Sequence, residues 1–289
     1  MARSDVEAMN PVIDIRNLTA ITKAGPVLRG VSLSLNAGEA MALVGESGAG
    51  KSTIAKAVLG ILPAGIRVTS GEILFDGVDL LKLAPKQMRE MLGVRIALIP
   101  QDPQTSLNPS RRIGDQMTDG LRLRAKLSRS DAMTRALELL NDVHIRDAQS
   151  VLKRYPHELS GGMRQRVLIA QAFSLNPQVV IADEPTTALD VTVQKQVLKL
   201  IRQLQRDYKT TLLFVSHDLG VVAQICDRIT VLYGGKILEH GLTADVLKDP
   251  AHDYTRALLA ANPRYDRPDQ SLKPVPDELI ARLRQEIST

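Results

Sequence analysis

Short apolar runs alternate with amphipathic stretches along most of this chain. Such runs, flanked by turn residues, indicate strands that are buried on both faces. They occupy residues 40–44, 96–99, 179–184 and 211–215. A helix is predicted between the last two, because its apolar residues recur at helical spacing. These residues are Val193, Val197, Leu200, Ile201 and Leu204. Buried strands separated by helices predict an α/β fold with a mainly parallel sheet core.

A second pattern, alternation of apolar and polar residues, occurs nearer the N-terminus. It is strict over residues 31–36 and predicts a strand with one face in water. Two more strands are predicted over 12–18 and 71–75, and the second ends at an Asp-Gly turn at 76–77. We therefore expect an antiparallel β subdomain beside the parallel core. The Gly-Gly pair at 234–235 predicts another hairpin later in the chain.

Helical periodicity dominates residues 112–175, between two of the buried strands. Ser130 is predicted to be the N-cap of a helix there. The apolar residues of that helix are Ala132, Met133, Ala136, Leu137 and Leu140. We expect a helical subdomain over about 102–176, inserted into the α/β core.

The rest of the chain divides by composition. Residues 1–10 predict a loose leader, and 11–262 one principal domain that contains the helical subdomain. Residues 263–289 are a C-terminal extension, with a proline-containing linker over 263–276 and a short helix from 277 to 287.

A glycine-rich loop follows the first buried strand and precedes a helix. It consists of Gly45, Glu46, Ser47, Gly48, Ala49, Gly50, Lys51, Ser52 and Thr53. Strand, glycine loop, Lys-Ser and helix is the order of a phosphate-binding P-loop. Backbone N–H groups and the helix N-terminus bind the phosphates there, Lys51 reaches the outer ones, and Ser52 binds Mg²⁺. The alternative, an ordinary glycine turn, does not account for the complete pattern. The loop predicts binding of a nucleoside triphosphate.

Four polar residues at or just beyond strand ends are candidates for the chemistry. Asp183 is expected to bind Mg²⁺ opposite Ser52, and Glu184 to polarise the water that attacks the γ-phosphate. Alternation of side chains along the strand is expected to separate these two carboxylates. His217 either binds the γ-phosphate or is an ordinary hydrogen-bonded histidine. Gln101 is a candidate for contacting Mg²⁺ or the attacking water.

The segment Leu-Ser-Gly-Gly-Met-Arg-Gln at 159–165 predicts a second anion-binding helix start. Ser160 can cap a helix, and Gly161 and Gly162 leave N–H groups accessible at its positive end. One nucleotide does not need both this site and the P-loop from one subunit. Two cassettes arranged head to tail would let each nucleotide use the P-loop of one and the Ser-Gly-Gly of the other. The alternative is a plain helix start after a glycine loop.

Composition excludes some classes of function. The chain of 289 residues is 44% hydrophobic and has a net charge of +5, values that are ordinary for a globular protein. It has no Trp, three Phe and five Tyr, which argues against a base-stacking surface for single-stranded nucleic acid. It also has no apolar run of 18 residues or more, so no transmembrane helix is predicted.

With these motifs in this order, the chain resembles an ATP-binding-cassette (ABC) ATPase subunit. The resemblance covers about residues 12–262. The matching motifs are the Walker A loop at 45–52, the Q-loop at Gln101, the signature motif at 159–165 including Gln165, Walker B at 179–183 with Glu184 as catalytic base, the D-loop at 188–190 with Asp190, and the switch histidine His217. The resemblance implies ATP and Mg²⁺ as cofactors. It assigns catalysis to Glu184, His217, Lys51 and Gln101.

Longer stretches resemble the importer ATPases for oligopeptides, dipeptides and nickel. They are residues 101–109, 155–166, 182–192 and 249–259, while 60–65 favours the nickel-type members. This resemblance implies a second ABC ATPase (the same chain or a similar one), two integral-membrane permease subunits, a solute-binding protein that acts indirectly, and no nucleic acid. It places the protein peripherally on the cytoplasmic face of the cell membrane.

One departure and two alternatives complete the prediction. The family often stacks adenine on an aromatic residue at the place of Ile21-Thr22, which has none here. A soluble ABC ATPase that acts on DNA or ribosomes is disfavoured, because it usually has a long coiled-coil insertion or two cassettes in one chain. A P-loop kinase or GTPase is disfavoured by the Ser-Gly-Gly motif.

Overall fold

The computed structural model describes residues 11–187, 189–261 and 275–288. The predicted leader, most of the predicted linker, and Ala188 of the D-loop lie outside the described residues. Among the helices within those ranges, none combines the length and the apolarity needed to cross a membrane.

A six-stranded sheet forms the centre of the molecule. Its strands are β3 (Ala40–Val44), β6 (Ile96–Ile99), β7 (Val179–Asp183), β8 (Thr211–Val215), β9 (Arg228–Tyr233) and β10 (Lys236–Leu242). Their order is β10-β9-β3-β8-β7-β6, and all neighbours are parallel except the β9–β10 hairpin. The register pairs Val215 with both Leu43 and Asp183, so β3, β7 and β8 end at the same edge of the sheet.

Side chains of the central strands alternate between two apolar clusters. Ala40, Ala42 and Val44 face the cluster that contains most of the helices, whereas Met41 and Leu43 face the cluster shared with the antiparallel sheet. Because both faces are covered, every residue of β3 is buried. This double burial is why the central strands are continuous apolar runs in the sequence.

The second sheet has four antiparallel strands in the order β2-β1-β4-β5. They are β1 (Ile13–Thr22), β2 (Gly25–Leu35), β4 (Arg67–Phe75) and β5 (Val78–Asp79). The Asp-Gly turn at 76–77 joins β4 to β5, as predicted. The predicted limits of β1 and β2 were too short, because the hairpin continues to the pair Thr22–Gly25. Register irregularities in β1 interrupt the alternation that would have indicated the longer strands.

The helices lie on both sides of the central sheet and at the C-terminus. They are α1 (Lys51–Val58), α2 (Pro85–Met91), α3 (Pro103–Ser106), α4 (Ile113–Leu123), α5 (Arg129–Asp142), α6 (Ala148–Val151), α7 (Gly161–Phe173), α8 (Val191–Asp207), α9 (Leu219–Ile225), α10 (Thr243–Lys248), α11 (Asp253–Ala261) and α12 (Asp277–Ser288). Five of them, α3 to α7, come between β6 and β7 and form the inserted helical part of the fold.

The predicted N-cap of α5 was wrong by two residues. Ser128 is the cap: its backbone is extended and its hydroxyl accepts a hydrogen bond from the Asp131 N–H at 3.1 Å. Ser130 lies in the first turn of the helix instead. A cap must accept from an N–H two or three residues further on, and only Ser128 stands before the helix with that geometry.

The C-terminal helix α12 packs against the core of the main domain. Leu283 is 1% exposed, and Leu279, Ile280 and Ile287 contact the same apolar cluster. Arg282 pairs with Asp253 of α11 at 2.6 Å. The division into a domain over 11–262 and an extension over 263–289 stays a prediction, although this helix shares the core of the preceding residues.

Candidate functional site

The P-loop joins β3 to α1, and close backbone packing restricts two of its glycines. Gly45 has φ +148°, and a Cβ there would lie 2.2 Å from the carbonyl oxygen of Leu232. Gly50 has φ +103° and precedes the first residue of α1. A side chain at either position would meet strain or a clash, since only glycine adopts these conformations freely. The loop backbone therefore closes tightly against β9.

Lys51 is buried beneath the loop. Its ammonium donates hydrogen bonds to the carbonyl oxygens of Gly45 (2.7 Å) and Glu46 (2.9 Å). Only 4% of the residue is exposed. Burial lowers the pKa of Lys51, while the nearby charges of Glu184 and Asp183 oppose that shift. A phosphate oxyanion entering the loop would compensate this buried positive charge.

Ser52 and Asp183 meet at the end of β7. The Ser52 hydroxyl donates to Oδ1 of Asp183 at 2.8 Å, although the residues are 131 positions apart in sequence. Burial raises the pKa of Asp183, and the hydrogen bond from Ser52 opposes that rise. A half-buried hydroxyl beside a buried carboxylate is an oxygen donor set that suits Mg²⁺. The two residues thus fit the predicted metal site.

The sequence predicted that the strand would include Glu184, but β7 ends at Asp183 and Glu184 lies just beyond it. Its φ is +46°, in the left-handed region that is uncommon for residues other than glycine. Its N–H donates to the carbonyl oxygen of Val215 at 3.0 Å. The predicted reason for the separation of the two carboxylates, strand alternation, was therefore wrong. The left-handed backbone turn at Glu184, and not the strand repeat, sets the direction of its side chain.

Three side chains surround the Glu184 carboxylate. Gln101 Nε2 donates to Oε2 at 3.4 Å, and Nδ1 of His217 lies 3.3 Å from the same oxygen. The third is the Thr187 hydroxyl, which donates to Oε2 at 3.0 Å. From the sequence, His217 was predicted to bind the γ-phosphate and Gln101 to contact Mg²⁺ or the attacking water. Thr187 was missed, because one threonine in a polar turn has no distinctive pattern.

The P-loop and these polar residues line one cleft of about 590 Å³. The lining residues are Val27, Ser47, Gly48, Gly50, Lys51, Ser52, Thr53, Gln101, Glu184 and His217. Val27 was also missed, because β2 was predicted to begin later. It supplies an apolar wall in a part of the chain where Ile21 and Thr22 offer no aromatic ring. Within the described residues, neither Ser160 nor Gly161 or Gly162 lines this cleft.

The signature segment has its own location at the start of α7. Ser160 is the N-cap, and its hydroxyl accepts from the Met163 N–H at 3.3 Å. Gly161 is exposed and Gly162 half-buried, so the first turn is accessible. Gln165 differs from these residues: it is 1% exposed, and its Nε2 has no hydrogen-bond partner among the described residues. Its side chain faces the interior of its own subunit.

Asp190 is the N-cap of α8. Its Oδ1 accepts hydrogen bonds from the N–H groups of Thr192 (3.1 Å) and Val193 (3.0 Å). Of the predicted D-loop, Leu189 and Asp190 are described and Ala188 is not. In this chain the Asp190 side chain fixes the start of α8.

The C-terminal part of the domain also contacts the P-loop. Tyr254 of α11 is fully buried, and its ring packs against that of Tyr233 at an interplanar angle of 57°, with 5.0 Å between ring centroids. Its hydroxyl accepts from the Glu46 N–H at 3.4 Å. The sequence did not predict this contact, because 208 residues separate the two partners.

A glycine loop at a helix start, a buried lysine, a hydroxyl–carboxylate pair and a further carboxylate in one cleft define a P-loop nucleotide-binding protein of the α/β class. The family model described as "ABC transporter" matches residues 28–187.

Individual relatives agree. The chain is 49% identical to the "Probable D,D-dipeptide transport ATP-binding protein DdpD" of Escherichia coli (strain K12), over 92% of this chain and 83% of that protein. It is 45% identical to the "Dipeptide transport ATP-binding protein DppD" of Bacillus subtilis (strain 168), over 92% and 81% respectively.

A solved structure supports the fold and the activity. It is titled "Dimeric structure of a post-hydrolysis state of the ATP-binding cassette MJ0796 bound to ADP and Pi". It matches with a TM-score of 0.71 and 26% sequence identity, over 80% of this chain and 98% of that chain. This chain belongs to the ABC transporter family, and it is an ATPase with the α/β fold of an ABC cassette.

Proposed function

We propose that this chain is the ATP-hydrolysing subunit of an ABC importer that drives the uptake of a small solute. The observation that carries the proposal is the cleft in which Lys51, Ser52 and Glu184 meet. Peptide import is favoured as the class of cargo, because the relatives described above are named for dipeptide transport. Nickel import, which residues 60–65 also suggested, is the less favoured cargo.

In the proposed mechanism the P-loop binds the phosphates of ATP. Lys51 neutralises the γ-phosphate from below, and its burial strengthens that attraction because little water screens it. Ser52 and Asp183 would hold Mg²⁺, with Gln101 as a further candidate ligand. The bound ion would supply positive charge that neutralises the phosphates.

Glu184 acts as the general base in this mechanism. Its carboxylate accepts a proton from the attacking water, while His217 and Gln101 orient the groups at the γ-phosphate. Val27 gives the nucleotide an apolar surface at the outer wall of the cleft. Because the cleft has no aromatic ring at Ile21 or Thr22, the phosphate contacts provide most of the affinity for ATP.

A second cassette completes each site in our proposal. Ser160, Gly161 and Gly162 would contact the nucleotide in the opposite subunit, since they do not line the cleft of their own subunit. The partner is this chain again or a similar ATPase. Two integral-membrane permease subunits receive the movement of the two cassettes at the cytoplasmic face of the cell membrane. A solute-binding protein acts indirectly, and no nucleic acid takes part.

Glu184→Gln tests the chemistry. The amide cannot accept the proton, so we expect kcat to fall about 10²- to 10⁴-fold, while ATP still binds and holds a dimer on size-exclusion chromatography. Glu138→Gln, an exposed glutamate of α5, is the matched control and should hydrolyse ATP normally. Hydrolysis at the wild-type rate in Glu184→Gln would exclude Glu184 as the base.

Two further experiments test the assembly. In a mixed dimer with Ser160→Arg in one subunit, one composite site should keep its nucleotide; loss from both sites would contradict sharing of the signature segment. Purification from detergent-solubilised membranes should recover polytopic permease subunits with this chain. Recovery with ribosomes or DNA, and without a polytopic protein, would refute the importer proposal.

A further inference from the structure

The hydrogen bonds to the Glu184 carboxylate are one-sided. Within the described residues, the contacts of Gln101, Thr187 and His217 all end on Oε2. Donors stabilise negative charge on the oxygen that they bind, so they fix Oε2 and leave the lone pairs of Oε1 for another partner. For a general base, that partner is the water that attacks the γ-phosphate.

We propose that Thr187 is a positioning residue that orients the Glu184 carboxylate for proton abstraction. This inference rests on the proposed role of Glu184 as the base. Of the three contacts, that of the Thr187 hydroxyl is the shortest, at 3.0 Å. It is also the only local one, since Thr187 follows Glu184 by three residues whereas Gln101 and His217 come from other loops.

The backbone supports the same assignment. Glu184 has φ +46°, a conformation that is unfavourable for a residue with a side chain and must be stabilised by its surroundings. The Thr187 N–H donates to the Glu184 carbonyl oxygen at 3.4 Å, so the turn is closed by the backbone as well as by the side chain. One residue therefore contacts both the turn and the carboxylate.

Thr187 differs from the other two residues in its position relative to the cleft. Gln101 and His217 lie on separate loops and line the cleft, with contact distances of 3.4 and 3.3 Å. In the proposed mechanism both also act at the γ-phosphate, so their contacts with Glu184 change when nucleotide enters. Thr187 does not line the cleft, so nucleotide that enters there does not compete for its hydrogen bond.

Thr187→Val tests the inference, because valine has the same shape and lacks only the hydroxyl. We expect kcat to fall about tenfold, which corresponds to about 1.4 kcal/mol and is the size of one hydrogen bond to a charged group. The affinity for a fluorescent ATP analogue should stay within about twofold of wild type, because the loss of this hydrogen bond does not alter the cleft. Thr187→Ser keeps the hydroxyl and should restore kcat. Thr69→Val, an exposed threonine of β4, is the matched control and should leave kcat unchanged.

The outcomes separate this inference from the proposed function. A wild-type kcat in Thr187→Val, or an equal loss in the serine variant, would overturn the positioning role while Glu184→Gln remained inactive. An active Glu184→Gln would instead refute the role of Glu184 itself. Thermal unfolding of each variant supplies the structural check, and because Thr187 is exposed we expect all of them to fold. If the valine variant does not fold, the serine variant decides: a wild-type kcat supports the role of the hydroxyl, and a reduced kcat overturns it.

Discussion

Gly235 lies where three parts of the structure meet at the P-loop. Its N–H donates to the Ala49 carbonyl oxygen of the loop at 3.1 Å, and its carbonyl oxygen accepts from the Arg29 N–H at 2.9 Å. Its φ is +83°, and a Cβ would lie 2.5 Å from the carbonyl oxygen of Val27. We predict that Gly235→Ala strongly destabilises the fold and weakens nucleotide binding.

Gly77 provides a matched control that lets the magnitude be worked out. It is also a hairpin glycine with positive φ, +78°, but none of the residues that the structure describes has an atom within 4 Å of its added Cβ. Alanine in the left-handed region costs about 1–2 kcal/mol at either position. At Gly235 the clash is with backbone, which no rotamer change relieves, and overpacking of this kind adds about 1–3 kcal/mol. The total for Gly235→Ala is therefore about 2–5 kcal/mol.

Urea unfolding followed by two probes measures both variants, and a fluorescent ATP analogue measures binding. Gly77→Ala should lose only the smaller amount and bind nucleotide as the wild type does. Gly235→Ala should lose about 1–3 kcal/mol more and bind more weakly, because the turn that holds the Ala49 carbonyl shifts. If the two variants are equally stable, the close approach to Val27 does not exist in solution, and the extra destabilisation predicted for Gly235→Ala is refuted.

Two further predictions concern stability alone. Ser128→Ala should lower the free energy of unfolding by about 1 kcal/mol through loss of the α5 cap, whereas Ser130→Ala should change it little; the reverse order in urea unfolding would restore the original cap assignment. Burial alone would raise the pKa of Asp79, but hydrogen bonds from Lys82 and from two backbone N–H groups outweigh it and lower that pKa. The ionised form thus stabilises the fold above the unfolded pKa of about 4, and this stabilisation is lost as pH falls through the lower folded pKa. Asp79→Asn should therefore be less stable than wild type at pH 7, with a difference that shrinks on acidification; a constant difference would contradict the assignment.

Local chemistry explains what was predictable. The P-loop, the central strands and the apolar face of α8 each produce a periodic or motif-like signal within about 20 residues, the span over which burial imposes a repeat. Ser160 is recognisable as an N-cap for the same reason, because a cap and its N–H partner are three residues apart. The hairpins at 76–77 and 234–235 are likewise fixed by their turn residues.

Long-range contacts explain what was missed. The wall formed by Val27 depends on how far the β1–β2 hairpin continues, and bulges conceal that length from periodicity. The contact of Tyr254 with the P-loop joins residues that are 208 positions apart. Neither contact leaves a local pattern, because each depends on the packing of one sheet or helix against another.

Glu184 and Gln165 show the difference most clearly. Residue order alone establishes that a carboxylate follows Asp183, and that a glutamine follows the Ser-Gly-Gly helix start. Packing in three dimensions sets the rest: Glu184 leaves the strand in a left-handed turn and accepts a hydrogen bond from Thr187, and the Gln165 side chain is buried. The physical reason is that residue order fixes which chemical groups are available and their local periodicity, whereas the direction of a side chain depends on backbone dihedrals and on neighbours brought together by the packing of distant elements.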